Sequence, residues 1–193
     1  MKKMTTLYKK DPNDLGRVIN EINTENRWVF ESVVLATIKR DGTACAIIKG
    51  ELYKRYDAKI NRKTGEWKKA PKGAIPCQDP DETTGHHPHW VRCCRENPQD
   101  KYHYEAFDKM SIKKDGTYEL CGEKIGKNPE QIKGNVLIKH GEIIKDKIEL
   151  SFNGIKNWLK TQDIEGVVFY EVGGEKRMCK IRKKDFGLKR EDK

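Results

Sequence analysis

The sequence lacks any long hydrophobic run. Its longest apolar stretch lies near residues 33–38, far short of the roughly 20 apolar residues that a membrane-crossing helix needs. The first twelve residues, MKKMTTLYKKDP, contain no apolar segment of the kind found in secretory signals. We therefore expect no membrane partner and a cytoplasmic location.

Glycine-rich phosphate-binding motifs are also missing. The chain contains neither a Walker A sequence nor GxGxxG, the motifs that hold phosphates against the N-terminus of a helix. Any phosphate chemistry must therefore use side chains and a metal ion. Hydrophobic residues make up 35% of the chain and charged residues 36%, which predicts a modest core under a highly charged surface.

The net charge of +10 is concentrated in two segments. Residues 39–73 contain eleven Lys or Arg against four Asp or Glu, and residues 176–193 contain nine against three. The rest of the chain is therefore net negative. This clustering predicts two edges of one polyanion-binding surface. The alternative is a pair of solvated basic loops without a partner.

The six cysteines fall into two groups. Three lie in apolar, strand-like runs and are predicted to be core residues: Cys45, Cys121 and Cys179. The others accompany histidines in a set with zinc-ligand residue types: Cys77, His86, His87, His89, Cys93 and Cys94. This set has no CxxC pair, so we favour a loop over the active site in which His86 and Trp90 pack or contact substrate. A structural zinc site is the alternative.

Hydrophobic periodicity predicts an α+β fold with mostly antiparallel sheets and flanking helices. Strands are expected at 31–38, 43–49, 50–56, 117–121, 134–150, 166–172 and 177–182. Helices are expected at residues 11–23 and after Ser151, which is a typical N-cap residue. Residues 60–105 are polar and proline-rich, and predict a loop-rich insertion.

Four short runs carry the residue types of phosphoryl-transfer chemistry. They are Lys39-Arg40-Asp41-Gly42, Glu119-Leu120-Cys121-Gly122, Glu165-Gly166-Val167-Val168-Phe169 and Lys180-Ile181-Arg182. Separately, they could be a hairpin turn, exposed strand-edge acids and a charged edge strand. A lysine amine attacks phosphorus only when uncharged, a form that neighbouring cations favour. Glu119 and Glu165 supply the carboxylate oxygens that Mg²⁺ prefers.

Taken together and in this order, the runs resemble the covalent nucleotidyltransferase superfamily of ATP-dependent ligases and capping enzymes. The matches are Lys39 to Gly42 with the KxDG motif I, Tyr53-Lys54-Arg55-Tyr56 with motif Ia, Glu119 with motif III, Glu165-Gly166 with motif IV, and Lys180 with motif V. More narrowly, the chain is similar to the single-domain 5′-3′ RNA ligase family. The matching segments are Gly85-His86-His87-Pro88-His89-Trp90, Glu119 through Asn128-Pro129, and Lys180 through Phe186-Gly187-Leu188. The resemblance covers roughly residues 30–190.

This resemblance implies one nucleotidyltransferase (adenylation) domain over residues 1–193, with residues 60–105 as an insertion over the active site and no OB domain. It implies an ATP-dependent RNA ligase with Mg²⁺ or Mn²⁺ as cofactor. Such an enzyme joins the 5′-phosphate and 3′-hydroxyl ends of RNA through a lysyl-AMP and an adenylylated RNA, in RNA repair. No obligate protein partner is expected.

The resemblance also implies roles for individual residues. Catalysis is expected from Lys39, Glu165 and Lys180, with Glu119 and Glu165 as metal ligands. The implied nucleotide-binding residues are Ile38, Asp41, Gly42, Arg55, Glu119, Lys180 and Arg182. The implied RNA contacts are Arg40, Lys54, Arg55, Lys183 and Lys184.

The chain departs from the superfamily pattern in two places. Many members have a second lysine in motif V, where this chain has Arg182 followed by Lys183 and Lys184, and any of the three could meet phosphate. Many members also carry an OB domain, whereas only eleven residues follow Arg182. We therefore rank a GTP-dependent capping-type guanylyltransferase below the ligase. The other alternative is a non-catalytic, RNA-binding remnant of the fold.

Overall fold

The computed structural model describes residues 3–190 and divides them into two compact units. The first unit contains Lys3 and residues 41–140, and the second contains residues 4–40 and 141–190. Both are built on sheets, and within residues 3–190 every strand pair except one is antiparallel. The expected α+β class with mostly antiparallel sheets is confirmed.

The strands of the described residues are β1 (Thr5–Thr6), β2 (Tyr8–Lys10), β3 (Val18–Ile22), β4 (Val34–Lys39), β5 (Thr43–Ile48), β6 (Glu51–Asp57), β7 (Ile75–Pro76), β8 (Pro88–Arg92), β9 (Gly116–Gly122), β10 (Asn135–Lys139), β11 (Gly166–Glu171) and β12 (Met178–Arg182). The α-helices are α1 (Trp28–Glu31), α2 (Lys101–Asp108) and α3 (Phe152–Thr161). Short 3₁₀ turns cover Thr24–Asn26, Pro98–Asp100 and Lys183–Phe186.

The second unit is organised around a four-stranded sheet in the order β1-β12-β11-β4, beside the two-stranded β2-β3 ribbon. Alternation along β11 and β12 directs Phe169 and Ile181 into the core of this unit. Helix α3 adds Ile155 and Leu159, four residues apart on one helical face, to the same core. The other face of the sheet is left to the intervening residues, among them the polar side chains of β4 and β12.

The first unit contains a six-stranded sheet in the order β10-β9-β5-β6-β8-β7. Its core contains Leu52 of β6, Phe107 of α2, and Tyr118 and Leu120 of β9. Cys45 and Cys121 are both buried in this unit, and Cys179 is buried in the second. The prediction that these three cysteines are core residues is confirmed.

The helix expected at residues 11–23 is wrong. The Asp11 and Asp14 carboxylates accept hydrogen bonds from the backbone two residues ahead, at 2.8 Å each, and such Asx turns compete with helix formation. The chain then enters β3, whose Val18 pairs with Lys10 of β2. The spacing of the apolar residues fits a helix, but local side-chain hydrogen bonds set the conformation.

Two other segments differ from the expected pattern. Only Asn135–Lys139 of the predicted 134–150 strand region is a strand, and Ile143 adds a single bridge to Thr37. Residues 60–105 hold more regular structure than their composition indicates, because β7, β8 and part of α2 lie there. The helix after Ser151 is confirmed, and the Ser151 hydroxyl accepts the Gly154 N–H at 2.9 Å.

The helices of the described residues are short. Across residues 3–190, no helix combines the length and apolar character that spanning a bilayer requires.

Candidate functional site

Strand register in the second unit brings three predicted catalytic residues together. Lys39, at the end of β4, lies opposite Gly166 of β11, directly after Glu165. Two residues along β11, Val168 lies opposite Lys180 of β12. Because side chains alternate along strands, Lys39 and Lys180 share the sheet face that points away from the core.

Gly166 allows this close arrangement of strands. A Cβ atom at this position would lie 2.2 Å from the backbone oxygen of Ile181 and 2.7 Å from Cα of Arg182. Any larger residue would therefore push β11 away from β12 at the first residue of the strand, directly after Glu165. Only glycine allows β11 to approach the backbone of β12 so closely, and Glu165 directly precedes this glycine.

The amine of Lys39 contacts the carboxylate of Glu165. Lys39 Nζ donates to Glu165 Oε2 and, at 3.3 Å, to the backbone oxygen of Arg40. The side chains are 18% and 14% exposed, respectively, so the pair is largely screened from solvent yet reachable. A nucleophilic amine and a carboxylate that can accept its proton are thus in direct contact.

Lys180 is a cation held close to other cations. Burial, together with the neighbouring charges of Arg182 and Lys39, lowers the pKa of Lys180 from 10.5 to about 8. Within residues 3–190 its amine makes no hydrogen bond or ion pair. A desolvated ammonium group in such surroundings is stabilised by a bound anion, which makes Lys180 a strong candidate for a phosphate contact.

Arg182 is held in place by a buried carboxylate. Its guanidinium donates to Asp185 at 3.0 and 2.8 Å, and Lys10 reaches the same carboxylate at 2.6 Å. Burial alone would raise the pKa of Asp185, but the hydrogen bonds from Arg182 and Lys10 leave it lowered. Asp185 therefore stays ionised and fixes Arg182 on the same sheet face as Lys180.

The other two basic residues of this segment have different environments. Lys183 is buried, and its N–H donates to the backbone oxygen of Glu165 at 2.9 Å. Lys184 is exposed. Of the three basic residues after Ile181, Arg182 is the one that alternation places beside Lys180.

In the first unit, Glu119 is buried on β9 and held by a histidine. Its Oε2 lies 2.8 Å from Nε2 of His140, whose Nδ1 lies 3.0 Å from the Thr117 hydroxyl. The neighbours of Glu119 on β9, Tyr118 and Leu120, point into the core of this unit. Glu119 therefore lies on the opposite sheet face, with its carboxylate oriented by His140.

The Asp41-Gly42 turn is packed against the same strand. A Cβ atom on Gly42 would lie 2.2 Å from the backbone oxygen of Leu120. The Asp41 N–H donates to the Glu130 carboxylate at 2.9 Å, and the Asp41 side chain is exposed. Gly42 is thus required by close backbone approach.

Four other residues were predicted to contact nucleotide or RNA, and three of them already have a partner within the protein. Ile38 packs against the core of the second unit. Arg40 pairs with Glu142 at 2.6 Å, and Lys54 pairs with the buried Asp100. Arg55 is half-buried and makes no ion pair or hydrogen bond in the described part of the chain, so it is the most available anion contact of the four.

The histidine-rich segment forms a hydrogen-bonded structure of its own. His86 Nδ1 contacts Asp57, which also accepts the His87 N–H at 3.0 Å, and His89 Nδ1 lies 2.8 Å from the His87 oxygen. Among residues 3–190, no three His, Cys, Asp or Glu side chains gather as a metal-binding group.

Sequence reasoning missed His140 and Asp185. The sequence assigned a role to neither residue, although Asp185 lies within the matching segment from Lys180 to Leu188, and each acts through a partner, Glu119 or Arg182. A further signal for Asp185 was its place three residues after Arg182 at the end of a strand, where an acid can accept backbone and side-chain hydrogen bonds together. For His140, 21 residues from Glu119, there was no signal.

Comparison with known proteins adds no relative: no protein-family model and no curated protein matches this chain.

Proposed function

We propose that this protein is an ATP-dependent RNA ligase with a nucleotidyltransferase fold, and that it carries AMP on Lys39. The observation that supports this most is the contact between the Lys39 amine and Glu165, on a sheet face shared with the cation Lys180. The sequence resemblance to 5′-3′ RNA ligases supports the same reading independently of this geometry.

In the first step, Lys39 Nζ attacks the α-phosphorus of ATP. A nitrogen–phosphorus bond forms, the bond from the α-phosphorus to the bridging oxygen breaks, and pyrophosphate leaves. The amine must lose a proton, and the Glu165 carboxylate is in contact to accept it. Lys180 and Arg182 stabilise the charge that builds up on the α-phosphate oxygens.

The later steps use the same cations. The 5′-phosphate of RNA attacks the lysyl-AMP, which frees Lys39 and gives an adenylylated RNA end. The 3′-hydroxyl of a second RNA end then attacks that 5′-phosphorus, and AMP leaves. Both steps develop charge on a phosphate that Lys180 is suited to bind. Arg55 and Glu119 keep the phosphate and ribose roles that the sequence resemblance implies.

The carboxylates fit a hard divalent ion. Mg²⁺ usually binds through one or two carboxylates, water and substrate phosphates rather than through a complete protein cage. Glu165 offers such oxygens in the second unit and Glu119 in the first, and each is proposed as a ligand of Mg²⁺ or Mn²⁺. The ion would supply charge neutralisation at the departing pyrophosphate.

The test is covalent self-labelling. The protein is incubated with Mg²⁺ and α-labelled ATP or GTP, then run on a denaturing gel. We expect label from ATP alone, which acid removes and alkali leaves, as a phosphoramidate bond requires. Lys39→Ala should abolish it, whereas Lys160→Ala, at an exposed lysine of α3, should not.

Each alternative gives a distinct result. Label from GTP alone would identify a guanylyltransferase. No label from either nucleotide, with salt-sensitive RNA binding retained, would identify a non-catalytic remnant of the fold. Joining of 5′-phosphorylated RNA by the ATP-labelled protein completes the test, and failure to join any RNA ends would refute the ligase assignment.

A further inference from the structure

One loop of the first unit carries a large excess of positive charge. Residues 59–72, named here the basic loop, contain a single acid, Glu66, and six exposed cations: Lys59, Arg62, Lys63, Lys68, Lys69 and Lys72. In the portion of the chain that the structure describes, none of the six side chains forms an ion pair or hydrogen bond. The charge of this loop is therefore directed to solvent.

Three other exposed cations of the same unit have acidic partners. The pairs, with their N–O distances, are Arg92–Glu51 at 2.7 Å, Arg95–Asp108 at 2.7 Å and Lys109–Glu105 at 2.9 Å. This pairing neutralises those parts of the surface. The basic loop has six exposed cations against one acid and, within residues 3–190, no such ion pairs, so it is a local positive potential that attracts polyanions.

Backbone hydrogen bonds hold the basic loop in a defined shape. Ile60 and Trp67 form an antiparallel bridge, and the Lys68 N–H donates to the Lys59 oxygen at 3.1 Å. At the tip, the Asn61 oxygen accepts the Gly65 N–H at 2.8 Å. Lys59 and Lys68 are therefore neighbours across the loop, and their positions are set before any ligand binds.

An aromatic side chain accompanies these cations. The Trp67 ring is half-buried and lies edge-on to His87, with ring centroids 6.0 Å apart. Single-stranded nucleic acids bind where cations follow the phosphates and aromatic rings meet the bases. This combination favours an RNA strand over an acidic protein.

We propose that the basic loop is the docking surface for the RNA strand, with Lys59 and Lys68 contacting consecutive phosphates. The inference rests on the proposed RNA ligase function. It also assigns strand binding to residues other than Arg40 and Lys54, whose charges are already paired with Glu142 and Asp100. The loop would bind the RNA strand through its phosphates.

The test is salt-dependent binding of a labelled, single-stranded 5′-phosphorylated RNA, measured by fluorescence anisotropy. The double variant Lys59→Gln/Lys68→Gln removes two phosphate contacts, each worth about 0.7 in the slope of log affinity against log salt. The slope should therefore fall by about 1.4, with about 25-fold weaker binding at roughly 0.1 M salt. Self-labelling with ATP should remain at the wild-type level.

The matched control is Lys113→Gln/Lys114→Gln, which removes the same charge from another exposed loop of this unit. It should bind RNA with the wild-type slope. Equal losses in both double variants, or an unchanged slope in the first, would overturn the docking inference. Tight binding of an acidic polypeptide with no RNA affinity would also overturn it.

Failure of the ligase proposal gives a different result. If the wild-type protein takes up no label from ATP but the Lys59→Gln/Lys68→Gln variant binds RNA more weakly than wild type, the ligase function is refuted and the docking surface is supported. If the wild-type protein is labelled by ATP and the double variant binds RNA as tightly as wild type, the docking surface alone is refuted.

Discussion

Replacing Lys180 by methionine should make the protein more stable while abolishing nucleotidyl transfer. In the folded protein, burial and then the charges of Arg182 and Lys39 lower the pKa of Lys180 from 10.5 to about 8. Keeping this ammonium charged near neutral pH therefore costs folding free energy. Methionine has a similar length and carries no charge, so it removes the cost.

The magnitude follows from the size of the pKa shift. Each pKa unit corresponds to about 1.36 kcal/mol, so lowering the pKa from 10.5 to about 8 sets an upper limit of about 3 kcal/mol. Solvent screens part of this at a partly exposed side chain, which leaves about 1–2 kcal/mol. With a urea m-value of about 2 kcal/mol/M, the unfolding midpoint should rise by about 0.5–1 M.

The gain should depend on pH with a defined sign. Between about pH 8 and 10.5 the unfolded chain binds more protons at Lys180 than the folded protein does, so wild-type stability rises with pH in this window. Below it, the variant keeps its full advantage. Above it, Lys180 is neutral in both states and the advantage disappears.

The assay is urea unfolding, followed by circular dichroism, at pH 7 and across the alkaline window. Lys184→Met is the control, because Lys184 is exposed on the 3₁₀ turn that follows β12, and it should show no gain. A Lys180→Met variant that is less stable than wild type at pH 7 would refute the reasoning. So would a stability difference that stays the same at all pH values.

Three further predictions test other parts of the structure. Glu165→Gln removes the carboxylate in contact with the Lys39 amine, so self-labelling with ATP should fall about 100-fold or more; near-normal labelling would contradict this. Gly42→Ala places a Cβ atom 2.2 Å from the Leu120 oxygen and should cost about 1–3 kcal/mol in urea unfolding, and an unchanged midpoint would count against it. Burial lowers the pKa of His103 below 6.5, so the folded protein should lose stability as pH falls below about 6.5, and His103→Leu should flatten this dependence.

Much of the sheet structure could be predicted because its signals are local. Strand alternation around Phe169 and Ile181 marks which residues face the core, and it leaves Lys180 on the other face. The helix N-cap at Ser151 needs only the next three residues. These features depend on neighbours along the chain, which the sequence displays directly.

The partners of the charged side chains could not be predicted in the same way. Lys54 pairs with Asp100, 46 residues away, and Arg40 with Glu142, 102 residues away. Both cations were assigned to RNA because the sequence reveals charge but not the acid that neutralises it. Which cations are available for a ligand is decided by tertiary pairing, and the exposed basic loop is recognisable only when that pairing is known.

The measurement that tests the central claim most directly is peptide mapping of the protein after incubation with ATP and Mg²⁺. Mass spectrometry under alkaline conditions should find one AMP group, attached to Nζ of Lys39 and released when pyrophosphate is added. A protein that carries no AMP, or carries it on any other residue, would contradict the assignment of Lys39 as the nucleophile.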